Sequence, residues 1–491
     1  MRKLQILLDS LHYSRHSGTL DRPVSGVIID SRTTAEDSLF VAIKGTSTDG
    51  HLYIEKAIDR GAKTIVCESW PSHLKEDVTY IQVTDAAVSA GLLAAAFYEF
   101  PSQKLKLIGI TGTNGKTTTA TLLYQMLTAL GNKCGLISTV EVKVAGEILP
   151  ATHTTPDAIS IQSLLAKMVE AECDYAIMEV SSHAAEQNRI AGLEFMGGVF
   201  TNMSHDHLDY HKTFDAYIKA KKKFFDNLGK NAFALINLDD RRGEVMLQNT
   251  KAKKSTYSLY NMADFKGKII ENSIHGLHLE INGIEFHSGI IGDYNAYNLL
   301  AAYGAAVLSG IDSTEALIAL SKVKGAQGRF EHVTDQEREV TAVVDYAHTP
   351  DALEKILSTI QKLQSQRGAI ITVVGCGGDR DKTKRPIMGS IAASKSKIAI
   401  FTSDNPRSED PEEILKDMQE SLSEAEKPKV MVISERKSAI QTAIRLAQKG
   451  DVVLVAGKGH ENYQEIKGQK LPFDDKNIIE NTPGFNVRYG H

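Results

Sequence analysis

A glycine-rich turn that follows an apolar run constrains the fold of this 491-residue chain more than any other stretch. The run ends at Ile110, the turn is Thr111-Gly-Thr-Asn-Gly-Lys-Thr-Thr118, and a helical pattern follows from Ala120 to Leu130. Strand, turn and helix in this order form a phosphate loop, in which backbone N–H groups and the helix N-terminus face phosphate oxygens. Lys116 adds a positive charge, and Thr117 supplies the hydroxyl that binds Mg²⁺ in such loops. The sequence therefore predicts a nucleotide site here.

The loop departs from the usual phosphate-loop spacing at its first position. The usual motif places four residues between its first glycine and Gly-Lys-Thr, but that first position holds Ile110, and Gly109 comes one residue earlier. We therefore interpret the turn as a variant phosphate loop. Its predicted nucleotide contacts are Gly112, Thr113, Asn114, Gly115, Lys116, Thr117 and Thr118.

Composition excludes several classes of protein. The net charge of -5 gives no reason to expect nucleic-acid binding, which needs a basic surface, and the sequence has no run of about 18 apolar residues that would predict a membrane span. Four scattered cysteines without metal-ligand spacing indicate reduced thiols. The first residues, MRKLQILLDSLHYSRH, predict an amphipathic helix rather than a signal peptide. We expect a cytoplasmic monomer with neither a nucleic-acid nor a membrane partner.

The length favours about three domains, and two polar linkers suggest where they meet. Pro101 with residues 102–104 marks one boundary, and Gly325 to Glu331 marks the other, which predicts domains at 1–102, 103–333 and 334–491. Strands alternate with helices in the central unit, apart from a β-rich insertion at 256–290, and four strands of the third unit each end in a polar loop. We predict an α/β fold: a central parallel-sheet phosphate-loop domain between an N-terminal α/β domain and a C-terminal Rossmann-like domain.

Two polar residues at strand ends suggest a metal site beside the loop. Glu179 ends an otherwise apolar strand, where an unpaired carboxylate would be costly. His207 lies in a His-Asp-His sequence after the next predicted strand. A carboxylate, an imidazole and the loop threonine suit Mg²⁺ bridged to phosphate, although imidazole is an unusual ligand for so hard an ion. An ordinary hydrogen-bonded histidine is the alternative.

Lys221 shares one helical face with Tyr217 and Phe224, so it lies on the side that the aromatic rings occupy. One interpretation is a buried stem whose amine reaches water. The other is a lysine that has lost its proton, since a neutral amine can take up CO₂ and become a carbamate, an anionic metal ligand. The residue types alone do not decide between these two interpretations of Lys221.

Taken together, the motifs of this chain resemble those of the ATP-dependent Mur ligases, nearly from end to end. The matching segments are Thr111–Thr118, Glu179-Val-Ser-Ser-His183, Asp206-His-Leu-Asp-Tyr-His211, Tyr217-x-x-Ala-Lys221, Gly328-Arg-Phe-Glu331, Asp345-Tyr-Ala-His-Thr-Pro350 and Gly457-Lys-Gly-His-Glu461. The chain departs from the family pattern at two places, and both departures are small. Glu435-Arg436 stands where Asp-Arg is expected, and Glu331 follows Phe330 in a linker whose third residue is often methionine.

The resemblance implies a reaction of peptidoglycan precursor synthesis. ATP would phosphorylate the γ-carboxylate of UDP-N-acetylmuramoyl-L-alanyl-D-glutamate, and the amine of an incoming amino acid would attack the acyl phosphate. The implied catalytic residues are Lys116, His207 and Lys221. Two Mg²⁺ would be held by Thr117 with Glu179 and by His207 with a CO₂-derived carbamate on Lys221.

The resemblance also implies substrate contacts. For ATP these extend to Asn295, Asn298, Arg329 and Asp345. For the UDP-sugar dipeptide they are Ser31, Thr154, Thr155, Ser181, Gln187 and Arg189. The first domain would bind the uridine end.

Asp404-Asn-Pro-Arg407 resembles the form that this loop has in relatives that add meso-diaminopimelate. Relatives that add lysine lack the arginine. Arg407 could bind the distal carboxylate of diaminopimelate through two hydrogen bonds, and Glu461 would face its distal ammonium. The implied pocket consists of Arg380, Asp404, Asn405, Pro406, Arg407, Gly457 and Glu461.

Several alternatives stay open at this point. One is the same reaction with L-lysine, and another is a ligase like folylpolyglutamate synthetase, which the Arg407 loop and the first domain argue against. A small-molecule phosphate-loop kinase would leave the third domain without a purpose. A binding protein without catalysis is disfavoured because Lys116, Glu179, His207 and Lys221 are all present.

Overall fold

The computed structural model describes residues 1–45, 48–150, 153–204, 206, 208–273, 276–364 and 368–486, without the side chains of residues 208 and 209. Within these ranges the N-terminal, central and C-terminal parts of the chain each contain one large sheet. His207, a predicted metal ligand and catalytic residue, lies outside the described residues.

The N-terminal part contains a five-stranded sheet in the order β2-β7-β6-β5-β4, with β4 to β7 parallel and β2 antiparallel. The predicted N-terminal amphipathic helix is only five residues long. The elements are strands β1 Arg2–Lys3, β2 Arg15–Ser17, β3 Pro23–Val24, β4 Val27–Ile28, β5 Ser38–Ala42, β6 Ala62–Cys67 and β7 Thr79–Gln82, and helices α1 Leu4–Leu8, α2 Ile54–Asp59 and α3 Ala86–Phe97.

The central part contains an eleven-stranded sheet in the order β11-β10-β9-β12-β8-β13-β14-β15-β16-β17-β18. The strands are β8 Lys106–Thr111, β9 Cys134–Ile137, β10 Val142–Val144, β11 Glu147–Leu149, β12 Tyr175–Glu179, β13 Gly197–Phe200, β14 Phe233–Asn237, β15 Lys253–Ser258, β16 Phe265–Ser273, β17 Gly276–Ile281 and β18 Ile284–Ser288. The helices are α4 Lys116–Ala129, α5 Ala158–Glu170, α6 Ser182–Glu186, α7 Leu208–His211, α8 Phe214–Asp226, α9 Gly243–Met246, α10 Asp293–Leu308 and α11 Ser313–Leu320.

The middle of this sheet is parallel from β9 to β16, as the alternation of strands and helices predicts. The β-rich segment predicted as an insertion instead continues the same sheet, because β16 pairs with β15 and then turns back through β17 and β18. Strand β8 lies between β12 and β13, so the loop that follows it lies beside the ends of both.

The C-terminal part contains a six-stranded sheet in the order β19-β20-β24-β21-β22-β23, parallel except for β19. The four strands predicted to end in polar loops, β20, β24, β21 and β22, are neighbours. The strands are β19 Glu331–Asp335, β20 Val340–Asp345, β21 Ile370–Val374, β22 Ile398–Phe401, β23 Val430–Val432, β24 Val452–Ala456, β25 Tyr463–Ile466 and β26 Gln469–Pro472. The helices are α12 Pro350–Leu363, α13 Lys384–Lys395, α14 Pro411–Gln419, α15 Arg436–Leu446 and α16 Asp475–Glu480.

Both faces of the central sheet are covered by apolar cores. Ile108 and Ile110 of β8 belong to one core and Leu107 to the other, as expected for alternating side chains of a strand buried on both sides. Rigid cores on both faces fix the position at which β8 ends and the glycine-rich turn begins. None of the helices in the described ranges is long and apolar enough to cross a bilayer.

Two paired glycines on adjacent strands create the space that α8 occupies. Gly109 of β8 pairs with Gly198 of β13. A Cβ on Gly109 would lie 2.6 Å from Cζ of Phe224, and one on Gly198 would lie 3.0 Å from Cε1 of the same ring. Phe224 is three residues after Lys221 in α8, so this contact sets the distance of Lys221 from the loop. Gly109 is the glycine that comes one residue before the usual first position of a phosphate loop. Its role here is to let α8 pack closely against the sheet.

Replacing Gly109 with alanine should lower the free energy of unfolding by about 1–3 kcal/mol, the usual cost of overpacking a core. Urea-induced unfolding followed by circular dichroism measures the change. The matched control is Gly229→Ala, since a Cβ at Gly229 meets no atom within 4 Å, and its effect should stay within about 0.5 kcal/mol. Equal stability of Gly109→Ala and the wild type would contradict the packing role.

Candidate active site

The turn after β8 is held in a shape that requires glycine at two positions. Gly112 and Gly115 have φ values of +151° and +86°. A Cβ on Gly112 would lie 1.9 Å from Oγ1 of Thr201, and one on Gly115 would lie 2.4 Å from Oδ1 of Asn298. The Thr201 hydroxyl also donates to the carbonyl of Asn114 at 2.6 Å. The loop is therefore held in place by Thr201 on one side and by Asn298 on the other.

Lys116 begins α4 and folds back over the loop. Its Nζ donates to the carbonyls of Gly112 and Thr113 at 2.9 and 2.8 Å. In the part of the chain that the structure describes, no carboxylate lies within ion-pair distance of it. Burial lowers the pKa of Lys116, while the more distant carboxylates of Glu179 and Asp206 oppose this. A cation paired with two neutral carbonyls suits a phosphate group that would complete its charge balance.

Glu179 and Thr117 place two oxygen ligands beside the loop. The Thr117 hydroxyl donates to Oε1 of Glu179 at 2.9 Å, and the Thr139 amide donates to the same oxygen at 2.8 Å. Glu179 has no exposed surface, so these hydrogen bonds stabilise its charge in the interior. A carboxylate and a hydroxyl in contact are ligands that Mg²⁺ accepts, and phosphate oxygens would supply others. Over the described residues, no group of three or more His, Cys, Asp or Glu side chains could hold a metal by itself.

Lys221 reaches the loop from α8 and is 1% exposed. Its Nζ donates to the Gly112 carbonyl at 2.7 Å and lies 4.8 Å from the ring centroid of Tyr217. The interpretation in which the amine reaches water is therefore wrong. Burial, assisted by the charge of Lys116, lowers the pKa of Lys221 well below its ordinary range, with Asp206 opposing. Two lysines thus converge on one carbonyl oxygen, which favours the neutral form of Lys221.

A cavity of about 90 Å³ lies next to the loop, between the central and C-terminal parts. Asn295 does not line it: its Oδ1 accepts from Asn298 Nδ2 at 2.8 Å, and its Nδ2 donates to the Ile291 carbonyl at 2.7 Å. Asn295 therefore positions Asn298. The predicted nucleotide residues that do line the cavity are Asn114, Gly115, Thr118, Asn298, Arg329 and Asp345.

Two contacts connect this cavity to the C-terminal part. Arg329 lies 4.5 Å above the Tyr346 ring, and its Nη2 donates to the Thr117 hydroxyl at 3.3 Å. Asn114 Nδ2 donates to Oδ2 of Asp351 in α12 at 2.8 Å. The Asn114–Asp351 bond was absent from the sequence predictions, because it joins residues 237 positions apart. Through these contacts the phosphate loop, the linker and α12 form one wall.

A larger cavity of about 750 Å³ opens between the N-terminal and central parts and is lined by Gln187 and Arg189. Arg189 donates to Oε1 of Gln187 at 2.7 Å through Nη2 and to the Thr155 carbonyl at 2.8 Å through Nη1. Ser31 lines an adjoining cavity of about 470 Å³, and both cavities share Ile29 and Thr48 as walls. The two spaces together suit an extended ligand.

Two residues predicted to contact the UDP-sugar dipeptide use their hydroxyls within the protein. Thr155 donates to the Glu179 carbonyl at 2.8 Å and accepts from the Ser181 amide at 3.0 Å. The Ser181 hydroxyl caps α6 by accepting from Ala184 at 3.1 Å. These residues hold the end of β12 against α6 and shape the site from behind.

A third cavity, of about 310 Å³, lies where the central and C-terminal parts meet. Thr154, His183 and Asp206 line its central side. The loops of the C-terminal sheet supply the other side with Arg380, Asp404, Asn405, Arg407, Gly457 and Glu461. Thr154, predicted as a dipeptide contact, therefore lies in the cavity that the Arg407 loop completes. Pro406 does not line it.

Arg407 is held in a left-handed conformation, with φ +51°. Its Nη1 donates to the Gly378 carbonyl at 2.7 Å, and its Nε lies 3.4 Å from Oε2 of Glu465. The guanidinium thus faces one carbonyl and one carboxylate on the cavity wall. Nη2 has no described hydrogen-bond partner and stays available to an anion.

Sequence analysis missed Lys458, which is fully buried behind this cavity. Its Nζ donates to Oδ1 of Asn405 at 3.0 Å and to Oε2 of Glu461 at 2.9 Å. The residue lies inside a motif whose other members were singled out, but lysine is usually solvated. No local signal in the sequence distinguishes a buried lysine from an exposed one here.

Comparisons with known proteins agree with this arrangement. Three family models match: Mur ligase family, catalytic domain (residues 23–98), Mur ligase middle domain (110–306), and Mur ligase, glutamate ligase domain (328–459). Proteins named UDP-N-acetylmuramoyl-L-alanyl-D-glutamate--2,6-diaminopimelate ligase are similar to the chain. The Cytophaga hutchinsonii protein is 54% identical over 94% of this chain and 95% of its own length, and the Phocaeicola vulgatus protein is 53% identical over 97% and 98%.

Solved structures give the same result. A structure of a ligase of that name has a TM-score of 0.66 at 34% identity and covers 94% of this chain and 95% of its own. MurF from Acinetobacter baumannii has a TM-score of 0.65, covers 93% of this chain and 95% of its own, and is 16% identical, so that likeness concerns the fold alone.

The buried carboxyl of Asp345 should make stability depend on pH. Burial raises the pKa of Asp345 from 3.8 to about 6, against the opposing charge of Arg329. Because the raised pKa favours the protonated form in the folded state, its stabilising contribution is lost as pH rises through about 6. Asp345→Asn does not titrate, so its free energy of unfolding relative to wild type should rise by about 2 kcal/mol between about pH 4.5 and about pH 7.5.

Denaturant unfolding of both proteins across this pH range measures the difference. The exposed variant Asp312→Asn keeps a helix-capping residue and is the matched control for an Asp-to-Asn change. A difference between Asp345→Asn and wild type that stays constant with pH would contradict the prediction.

Proposed function

Because the chain belongs to the Mur ligase family, we propose that it adds meso-diaminopimelate to the D-glutamate of UDP-N-acetylmuramoyl-L-alanyl-D-glutamate, with conversion of ATP to ADP and phosphate. The names of the relatives at 53–54% identity support this substrate pair. The observation that carries the proposal is the third cavity, which Arg407 lines together with Asp206 and His183. An amino acid bound there would have its charged distal end at Arg407 and its reacting end toward the phosphate loop.

The four cavities suggest where each substrate binds. ATP would bind over the phosphate loop, with only part of the nucleotide in the cavity between Asn298 and Arg329. The UDP-sugar would extend from the Ser31 cavity through the larger one to Arg189. Its dipeptide would end near Thr154, where the third cavity begins. The γ-carboxylate of D-glutamate, the phosphate and the amino acid would then meet in one place, and positioning of this kind supplies much of the rate acceleration.

The chemistry follows from the charges around that meeting point. The D-glutamate carboxylate accepts the γ-phosphoryl group of ATP, and the attacking amine forms the C–N bond as phosphate leaves. Lys116 would neutralise charge on the transferred group. Thr117 and Glu179 would hold one Mg²⁺, and His207 with carbamylated Lys221 would hold a second. Bound Mg²⁺ neutralises phosphate charge.

We propose that the chain acts as a monomer. We also place it in the cytoplasm, where ATP and nucleotide-sugars are available. Its four cysteines are free and buried, which is consistent with a reducing compartment.

The carbamate on Lys221 is supported by the position of the amine. The side chain is enclosed by the aromatic face of α8, and its Nζ already contacts the loop that Lys116 spans. A carbamate would extend the side chain and place an anion beside the loop, where the neutral amine now lies. That anion would balance the charge of Lys116 and supply oxygen ligands to a metal.

Lys221→Ala should lower kcat by at least about 100-fold, the effect of removing a group that stabilises charge in the transition state. Short carboxylic acids should restore part of the activity. Wild-type protein in ¹³C-bicarbonate should show a carbamate resonance that Lys221→Ala lacks. The exposed neighbour is the control, and Lys219→Ala should retain both activity and resonance. The same resonance in Lys221→Ala would contradict the assignment.

The nearest alternative is the same reaction with L-lysine, which lacks the distal carboxylate. Without that carboxylate the Arg407 guanidinium would lose its partner in the cavity, so the site should reject lysine. Sites built around a buried polar partner discriminate by roughly 10⁴-fold against analogues that lack it. Steady-state kinetics with both amino acids and a mass measurement of the product test the proposed function.

Arg407→Ala should raise the KM for diaminopimelate by about 30-fold or more, the cost of removing one partner of a hydrogen-bonded charge pair that is largely shielded from solvent. The variant should prefer diaminopimelate over L-lysine less strongly than the wild type does. Its KM for ATP should change much less than its KM for diaminopimelate. Lys382→Ala removes an exposed lysine of the neighbouring loop and serves as control. If the wild type used L-lysine with kcat/KM within about tenfold of diaminopimelate, the specificity proposal would fail.

A further inference from the structure

A buried hydrogen-bond network lies directly behind the third cavity. Lys458 is its centre: the side chain has no exposed surface and does not itself line the cavity. Its Nζ donates to Asn405 Oδ1 at 3.0 Å and to Glu461 Oε2 at 2.9 Å, and it lies 4.0 Å from Oδ1 of Asp404. All three of these residues line the cavity. A single buried cation therefore contacts or faces three cavity residues at once.

The network fixes which way the Asn405 amide points. Oδ1 of Asn405 accepts from Lys458 Nζ and, at 2.9 Å, from the Glu465 backbone amide. Because both contacts are donors, the oxygen must face them and the NH₂ group must face the opposite way. That NH₂ group donates to Glu461 Oε2 at 2.7 Å, and its second hydrogen stays available.

The same network fixes the Glu461 carboxylate. Both Lys458 and Asn405 donate to its Oε2, so Oε1 is left for a ligand. Lys458 also balances two carboxylates, Asp404 and Glu461, in a buried setting where an unpaired charge would be costly. Gly457 adds a steric condition, since a Cβ there would lie 2.6 Å from Oδ2 of Asp404.

We propose that Lys458 is a positioning residue that sets the specificity of the amino-acid site, by holding the Asn405 amide and the Glu461 carboxylate in the orientation that accepts a cationic amino-acid end. This inference rests on the proposed function, because it takes the third cavity as the amino-acid site. Lys458 acts through the two residues that it contacts and not on the reacting atoms. Its loss should affect binding of the amino acid far more than phosphoryl transfer.

Lys458→Met removes the charge and both hydrogen bonds at similar volume. We expect the KM for diaminopimelate to rise by about 30-fold or more, with kcat at saturating diaminopimelate and the KM values for ATP and the UDP-sugar dipeptide each changing by less than about threefold. Lys458→Gln keeps an N–H donor without the charge and should fall between Lys458→Met and wild type. A general loss of folding would instead affect all substrates together.

Two controls separate positioning from stability. Arg338→Met removes a half-buried cation that donates to the Ala447 and Ile444 carbonyls in the same part of the chain, away from the cavity. It should lower the melting temperature without changing the KM for diaminopimelate. A double-mutant cycle with Glu461→Gln should give a combined effect on that KM smaller than the product of the single effects, because Lys458 acts through Glu461.

The outcomes are distinct. No diaminopimelate-dependent turnover by the wild type would reject the proposed function itself. Normal wild-type turnover with an unchanged KM for diaminopimelate in Lys458→Met would reject the role of Lys458. The role of Lys458 would also be rejected if Lys458→Met lost activity equally with every substrate, or if the effects of Lys458→Met and Glu461→Gln were independent in the double-mutant cycle. Lys458 would then be a structural residue.

Discussion

The carbonyl oxygen of Gly112 accepts hydrogen bonds from two lysine side chains, Lys116 and Lys221, and the active site depends on this arrangement. It brings two amines to a loop whose shape is fixed by glycine and by the end of β13. Holding two buried amines at one neutral oxygen is unfavourable unless an anion joins them or one amine is neutral. Burial favours a neutral Lys221, and we propose that phosphate at Lys116 and a carbamate on Lys221 complete the charge balance of the loop. Catalysis by positioning and charge neutralisation needs such a prepared site.

The rest of the fold would place the proposed substrates around that loop. Paired glycines of β8 and β13 let Phe224 approach the sheet, and this brings α8 and Lys221 to the loop. The C-terminal part reaches the same point through Arg329 and through Asp351, which accepts from Asn114. The strands of its own sheet end in the loops that carry the residues proposed to bind the amino-acid substrate. The edges of two parallel sheets thus face each other across one reaction site, as expected for ligands bound beyond strand ends.

Features that are local in sequence were predicted well, and features that depend on distant pairing were not. The strand, loop and helix around Lys116 follow from one short segment, and helical periodicity correctly placed Lys221 with Tyr217 and Phe224. By contrast, the packing role of Gly109 depends on a glycine in another strand and on a ring from α8. The amphipathic pattern at the N-terminus overestimated helix α1, which ends after Leu8. Lys458 could not be recognised because its burial results from three loops of the tertiary structure.

The central claim is that the D-glutamate carboxylate is activated by phosphorylation before the amine attacks. The direct test uses UDP-N-acetylmuramoyl-L-alanyl-D-glutamate labelled with ¹⁸O in its γ-carboxylate, together with ATP, Mg²⁺ and diaminopimelate. Mass spectrometry of the released phosphate should find one ¹⁸O atom per phosphate formed, because the oxygen that leaves carbon during C–N bond formation comes from the carboxylate. Phosphate without ¹⁸O, released in step with product formation, would contradict the acyl-phosphate account.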